Sequence, residues 1–127
     1  MSYSLIRPPI LEKPDSFSFM SWFQRVFDYA QSQTGFATVT SAYTVEADVW
    51  LVRVDATAGA VTVTLPAASS VPGRQIYLKK IDASANAAIL AGAGTDLIDG
   101  SATRSTTTQY GLIAVFSNGN GWDRIEA

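Results

Sequence analysis

The sequence predicts a mainly β chain. Its expected fold is an antiparallel β-sandwich or jelly-roll-like domain, preceded by an extended arm and one amphipathic α-helix and assembled as a trimer. Three observations carry this reading. From residue 36 onward apolar and polar residues alternate with period two, in eight or nine short runs separated by turn residues. Between residues 15 and 33 the period is that of a helix instead. Ahead of that, three of the five prolines (Pro8, Pro9 and Pro14) crowd into the opening stretch. The expected divisions are therefore an arm over 1–14, a helix over 15–35 and a β-domain over 36–127.

The arm is read as extended because proline fixes φ and disfavours helix in the residue before it. Fourteen extended residues reach up to about 45 Å. Leu5, Ile6, Ile10 and Leu11 make it an anchoring arm, since a solvated tail has little use for four large aliphatics. In the next segment Asp15 or Ser16 is a good N-cap and Thr34-Gly35 a plausible stop. Phe19, Met20, Trp22, Phe23, Val26, Phe27, Tyr29 and Ala30 fall on one side of the helical wheel, and Ser18, Ser21, Gln24, Arg25 and Asp28 on the other. The apolar side covers about half the circumference, where an ordinary docking stripe needs little more than 100°. One neighbour does not cover so wide a face. Either three copies bundle, or the helix occupies a groove supplied by another protein.

In the β region, Phe36–Thr40 and Tyr43–Ala47 are short candidate strands. Val49–Val54 is stronger, and it is apolar on both faces: Trp50, Val52 and Val54 on one, Val49 and Leu51 on the other. A sandwich strand needs only one apolar face, so a second subunit is the expected cover for the other. In Ala60–Leu65, Val61, Val63 and Leu65 alternate with Thr62 and Thr64, and Ala58-Gly59 is read as a hairpin turn joining this strand to the previous one. Pro72-Gly73 leads into Arg74–Ile81. Further strands are expected at Ala87–Ala91, near Leu97-Ile98 and at Gly111–Ser117. Asn118-Gly119-Asn120-Gly121 then makes a hairpin into Trp122–Glu126, with Trp122 covering the end of the core.

Composition limits the chemistry. The 127 residues (13.6 kDa) amount to one domain with a short appendage. There is no Cys and no His, so thiolate and imidazole chemistry and imidazole metal ligands are excluded. A formal charge of −2 and a single adjacent basic pair, Lys79-Lys80, argue against nucleic-acid binding. No run resembles a signal peptide or a membrane span, so the chain is expected to be made and kept in a cytosol, with no membrane partner. Glu46 and Asp48 are the one carboxylate pair spaced for acid–base work, and a solvated strand end explains them better. Asp82, Asp96 and Asp99 sit beside small residues, where an Asx side chain caps its own turn. No cofactor or metal is expected. Ser101, Thr103, Ser105, Thr106, Thr107 and Thr108 form a hydroxyl-rich exposed strand or loop. With Tyr77, the residues Ser101, Thr103 and Thr106 are the candidate ligand surface, for a glycan or a protein.

The run from Val54 to Ala68 (Val-Asp-Ala-Thr-Ala-Gly-Ala-Val-Thr-Val-Thr-Leu-Pro-Ala-Ala) is followed by Pro72-Gly73-Arg74-Gln75-Ile76-Tyr77-Leu78-Lys79-Lys80-Ile81-Asp82. Later come Ile98-Asp99-Gly100 and Ser117-Asn118-Gly119-Asn120-Gly121-Trp122. Over about residues 43–126 this order resembles the small β-domains of tailed-bacteriophage virion proteins, among them tail fibres, head fibres and decoration proteins. The resemblance implies a non-enzymatic structural module, commonly trimeric, displayed on a virion after synthesis in the host cytoplasm. It carries over no catalytic residue. The segment with Pro8-Pro9 and Trp22-Phe23 is similar to the short anchoring segments ahead of such domains. Attachment to a capsid or tail protein is therefore expected through residues 1–33, by way of Leu5, Ile6, Ile10, Leu11, Phe19, Met20, Trp22, Phe23, Val26 and Phe27. The chain has no long heptad shaft, no collagen-like repeat and no second β-domain. A short capsid projection fits that length better than a full tail fibre. A tail-tip protein binding a host receptor or glycan is the alternative.

Overall fold

A computed structural model describes Gln24, which is helical, and residues 35–126. The arm over 1–14, the remainder of the helix over 15–35 and all ten docking residues named above lie outside the described residues. The chain divides into two compact units, 1–34 and 35–127, and the second is the β-domain.

Nine strands build it: β1 (Gly35–Val39), β2 (Tyr43–Thr44), β3 (Val49–Val54), β4 (Val61–Thr64), β5 (Gln75–Lys80), β6 (Ala88–Ala91), β7 (Thr103–Thr106), β8 (Leu112–Ser117) and β9 (Trp122–Arg124). A short 3₁₀ turn, Ala68–Ser70, follows β4. The strands form a five-stranded front sheet, ordered β1-β3-β5-β8-β9, and a four-stranded back sheet, ordered β2-β4-β6-β7. The mainly β class is as expected, but the all-antiparallel, jelly-roll-like arrangement is not found. β1, β3 and β5 run parallel to one another, as do β2, β4 and β6.

The strand order explains the difference. Through β6, odd-numbered strands enter the front sheet and even-numbered strands the back sheet, so each coil of chain gives one strand to each layer. Three coils stack in this way, as in a short β-solenoid. The chain then reverses: β7 lies antiparallel to β6, β8 to β5, and β9 to β8. Only this last third is the antiparallel structure that was expected. The Ala58-Gly59 turn does not close a hairpin, because β3 and β4 belong to opposite sheets. Its residues bend the chain, and buried Ala56 draws the connection across the layers. The hairpin at Asn118–Gly121 forms between β8 and β9, with the Asn118 side-chain oxygen accepting the N–H groups of Asn120 and Gly121.

Inward-facing residues of both sheets share one core. Val52, Val54, Ile76, Leu78, Ile113 and Val115 come from the front, and Val61, Val63, Ala88 and Leu90 from the back. Trp122 is buried at the end of the core, as expected. The Leu97-Ile98 segment contributes only isolated bridges, from Ile98 to Ser101 and to Trp122. The hydroxyl-rich stretch supplies strand β7 at the margin of the back sheet. Gly35, read as a helix stop, is the first residue of β1. A Cβ there would collide with the carbonyl of Asp48, so only glycine permits this approach of two backbones.

Candidate interaction face

Strand register decides which side chains share the outer surface of each sheet. On the front sheet Phe36 is level with Leu51, Leu51 with Tyr77, and Tyr77 with Ala114. The ladder continues one residue past β9, where the Ile125 N–H donates to the Ala114 carbonyl at 2.8 Å. Alternation along these strands puts all five on the outer surface. The result is a row, Phe36, Leu51, Tyr77, Ala114 and Ile125, that is apolar from one edge of the sheet to the other.

Further bulk flanks the row. Between Gly35 and Phe36 the pairing with β3 slips, so that Val49 and Leu51 are matched and Trp50 is the extra residue of a bulge. A bulge re-aims its side chain, and the Trp50 ring stands edge-on to Tyr77 with centroids 5.7 Å apart. Leu112 and Phe116 extend the surface along β8. Phe36 is 60% exposed, Ile125 47%, Leu112 43% and Trp50 41%. Single exposed apolar residues are ordinary, whereas a contiguous set marks an interaction surface.

One level along the strands the same face turns polar, with Thr38 level with Arg53 and Arg53 with Lys79. Like charges directly opposite each other repel, and each cation has its own partner. Arg53 donates to the Thr38 hydroxyl at 3.1 Å, and Lys79 lies 5.7 Å from the Tyr110 ring centroid. Tyr110 is held at a φ of 64°, a strained conformation for an aromatic residue.

The outer surface of the back sheet is different. Thr62, Ile89 and Ser105 share one level, and Thr64, Ala91 and Thr103 another. Small and hydroxyl side chains dominate it, and no exposed large apolar group lies there among the described residues.

Polar ties hold the connections between strands. The Lys80 ammonium is fully buried and donates to the Asp82 carboxylate and carbonyl and to the Ser84 carbonyl, at 2.7–2.9 Å. Asp82 also accepts the N–H groups of Ala56 and Ser84 and the Ser84 hydroxyl. Burial pushes the Asp82 carboxyl up, yet the bonds from Lys80, Ser84 and Ala56 outweigh it and hold the group well below the usual carboxylate range. Arg74 reaches the carbonyls of Glu46 and Val49 at 2.7 and 2.5 Å. Asp96 accepts the Ala68 N–H, and Asp99 the Arg124 N–H. These aspartates thus fasten distant segments of chain, a role beyond the local turn-capping expected of them.

The four candidate ligand residues do not converge. Tyr77 lies on the front face, where its hydroxyl donates to Gln75 at 3.1 Å. Thr103 and Thr106 lie on β7 of the back sheet, and the Ser101 hydroxyl donates to the Thr103 carbonyl at 3.0 Å. Glu46 and Asp48 sit exposed between β2 and β3. Sequence reasoning missed a polar cleft of about 310 Å³ beside the β8–β9 hairpin, lined by Thr95, Leu97, Asp99, Asn118, Asn120 and Asp123 among others. Its Asn and Asp residues read as turn formers, which hid their convergence. No protein-family model matches this chain, and no curated protein matches it.

Proposed function

We propose that this chain is a non-enzymatic structural protein of a tailed-bacteriophage particle. It is a short trimeric projection of the capsid-decoration or head-fibre type, made in the host cytoplasm and carried on the virion. Residues 1–33 attach it to another virion protein, and the β-domain faces outward. Neither nucleic acid nor membrane is a partner.

The observation that carries this reading is the apolar row on the front sheet. A lone soluble domain has no use for such a surface, whereas a subunit of a fixed assembly does. The resemblance of residues 43–126 to virion β-domains supplies the setting, and the aromatic stripe between Phe19 and Tyr29 supplies the anchor. Burial of several aromatic side chains at about 25 cal/mol per Å² is enough for firm attachment, and three arms acting together multiply it.

Co-sedimentation with purified particles tests the attachment. The full chain is expected to pellet with particles and to have the solution mass of a trimer. Removal of residues 1–33 is expected to leave a folded β-domain in the supernatant. A truncated chain that still pellets would refute the anchoring role.

The polar cleft favours a second reading, a tail-tip protein binding a host glycan. Carboxylates and amides beside an exposed Leu97 suit a sugar ring's hydroxyls and its apolar face. Binding of the purified chain to host cells, lost in Asn120→Ala, would favour this alternative.

A further inference from the structure

We propose that the two opposite margins of the front face are the two halves of one copy-to-copy contact. The Phe36 margin of each chain lies against the Ile125 margin of the next, and the contacts close into a ring. The inference rests on the trimer reading above and assigns the surface that a second copy covers.

The distribution of exposure along the row points there. Its ends, Phe36 and Ile125, are the open positions, whereas Ala114 is buried and Tyr77 and Leu51 are half-buried. Each end has apolar support, Trp50 beside Phe36 and Leu112 on the Ile125 side. A partner centred on the face would be expected to bury the middle of the row and leave its rim polar. Here the middle is partly covered by its own neighbours and the rim is apolar.

Level matters as well. Phe36 and Ile125 belong to the same cross-strand row, so rotation about an axis along the strands brings one to the other without a shift. Such a contact joins two different surfaces of the same chain, and a heterologous contact that closes makes a ring. Stacking two front faces flat would take Arg53 and Lys79 out of water together, and burying charges is costly. Margin-to-margin contact leaves both cations away from the seam.

The available area agrees. Five strands about 4.8 Å apart and six residues long span roughly 500 Å², below the ~800 Å² per partner of a stable pairwise interface. One contact between margins is therefore too small to hold a dimer. Ring closure gives every copy two such contacts and makes loss of one insufficient for escape.

The chain contains no cysteine, which makes a direct test clean. Full-length chain carrying Phe36→Cys and Ile125→Cys together is bridged with a short bis-maleimide and run on a denaturing gel. Covalent dimers and trimers are expected, with nothing larger, while each single-cysteine variant stays monomeric. Dimers from Phe36→Cys alone would mean two-fold pairing and would overturn the proposal. A double variant that sediments as a trimer but does not cross-link would overturn it and leave the proposed function standing. One that sediments as a monomer would overturn both. Both sites are exposed, so the cysteines leave the core intact. As a second variant, Phe36→Lys or Ile125→Glu alone is expected to weaken assembly at least tenfold, and the two together to restore it. No rescue would count against the contact.

Discussion

The two outer surfaces of the β-domain rest on the same core and have opposite characters. On the front sheet, one level carries Phe36, Leu51, Tyr77, Ala114 and Ile125. On the back sheet, the corresponding levels carry Thr62, Ile89 and Ser105, or Thr64, Ala91 and Thr103. Both arise from the same period-two alternation, whose inward half is fixed by packing. The outward half is free to be polar, and on the back sheet it is. Its apolar character on the front is therefore information about a partner, because folding of a single copy does not require it.

The largest expected effect comes from removing what both surfaces depend on. Asp82→Asn leaves the buried Lys80 ammonium without its carboxylate, and loss of one partner of a buried pair is severe. A fall in Tm of roughly 10 °C or more is expected by circular dichroism. The same group sets an acid limit. Its carboxyl is held low in the folded chain, so its stabilisation is complete above the ordinary carboxylate pKa of about 4. That stabilisation drains away as the pH falls from there through the lower folded value. Melting curves between about pH 5 and pH 2 should fall steeply for the native sequence and more gently for Asp82→Asn.

A charge placed on each surface in turn sharpens the contrast. Leu112→Glu on the front is expected to raise the dissociation constant of the assembly about 100-fold, a cost typical of a buried interface position. Thr62→Glu on the back should change it less than about twofold. Analytical ultracentrifugation checks both, and equal effects would erase the distinction between the faces. The smallest change is expected from Trp50→Ala, measured in the Leu112→Glu background to remove association. Loss of the edge-on pair with Tyr77 costs about 0.5–1.5 kcal/mol, a few degrees of Tm.

How far these features could be read in advance differs by kind. The alternation of Val61, Val63 and Leu65 with Thr62 and Thr64 predicts which residues enter the core, and they do. Asn118–Gly121 predicts a hairpin, because its turn chemistry fixes both the bend and the partner. Ala58-Gly59 shows the opposite case. A turn residue tells where the chain bends, and a six-residue connection can return to the same sheet or cross to the other, so the parallel stacking was hidden. The apolar row was hidden for a related reason. Its five members come from five strands spread over ninety residues, and only register aligns them. Val49–Val54 was the exception, since its apolar residues on both faces announced an uncovered outer side. The partners of Asp82 and Asp96 lie in other coils, and a short-range rule of turn-capping could not find them.

The alternation of strands between layers has a consequence for how such a protein changes size. Each coil delivers one strand to either layer, so lengthening happens in whole units of about 4.8 Å along the stack. A duplicated coil would extend both surfaces and the core at once, without disturbing residues above or below it. The reversed strands β7 to β9 act as the terminus of that growth. Dimensions in this architecture are therefore quantised, set by how many times a short stretch of sequence is copied before the chain turns back.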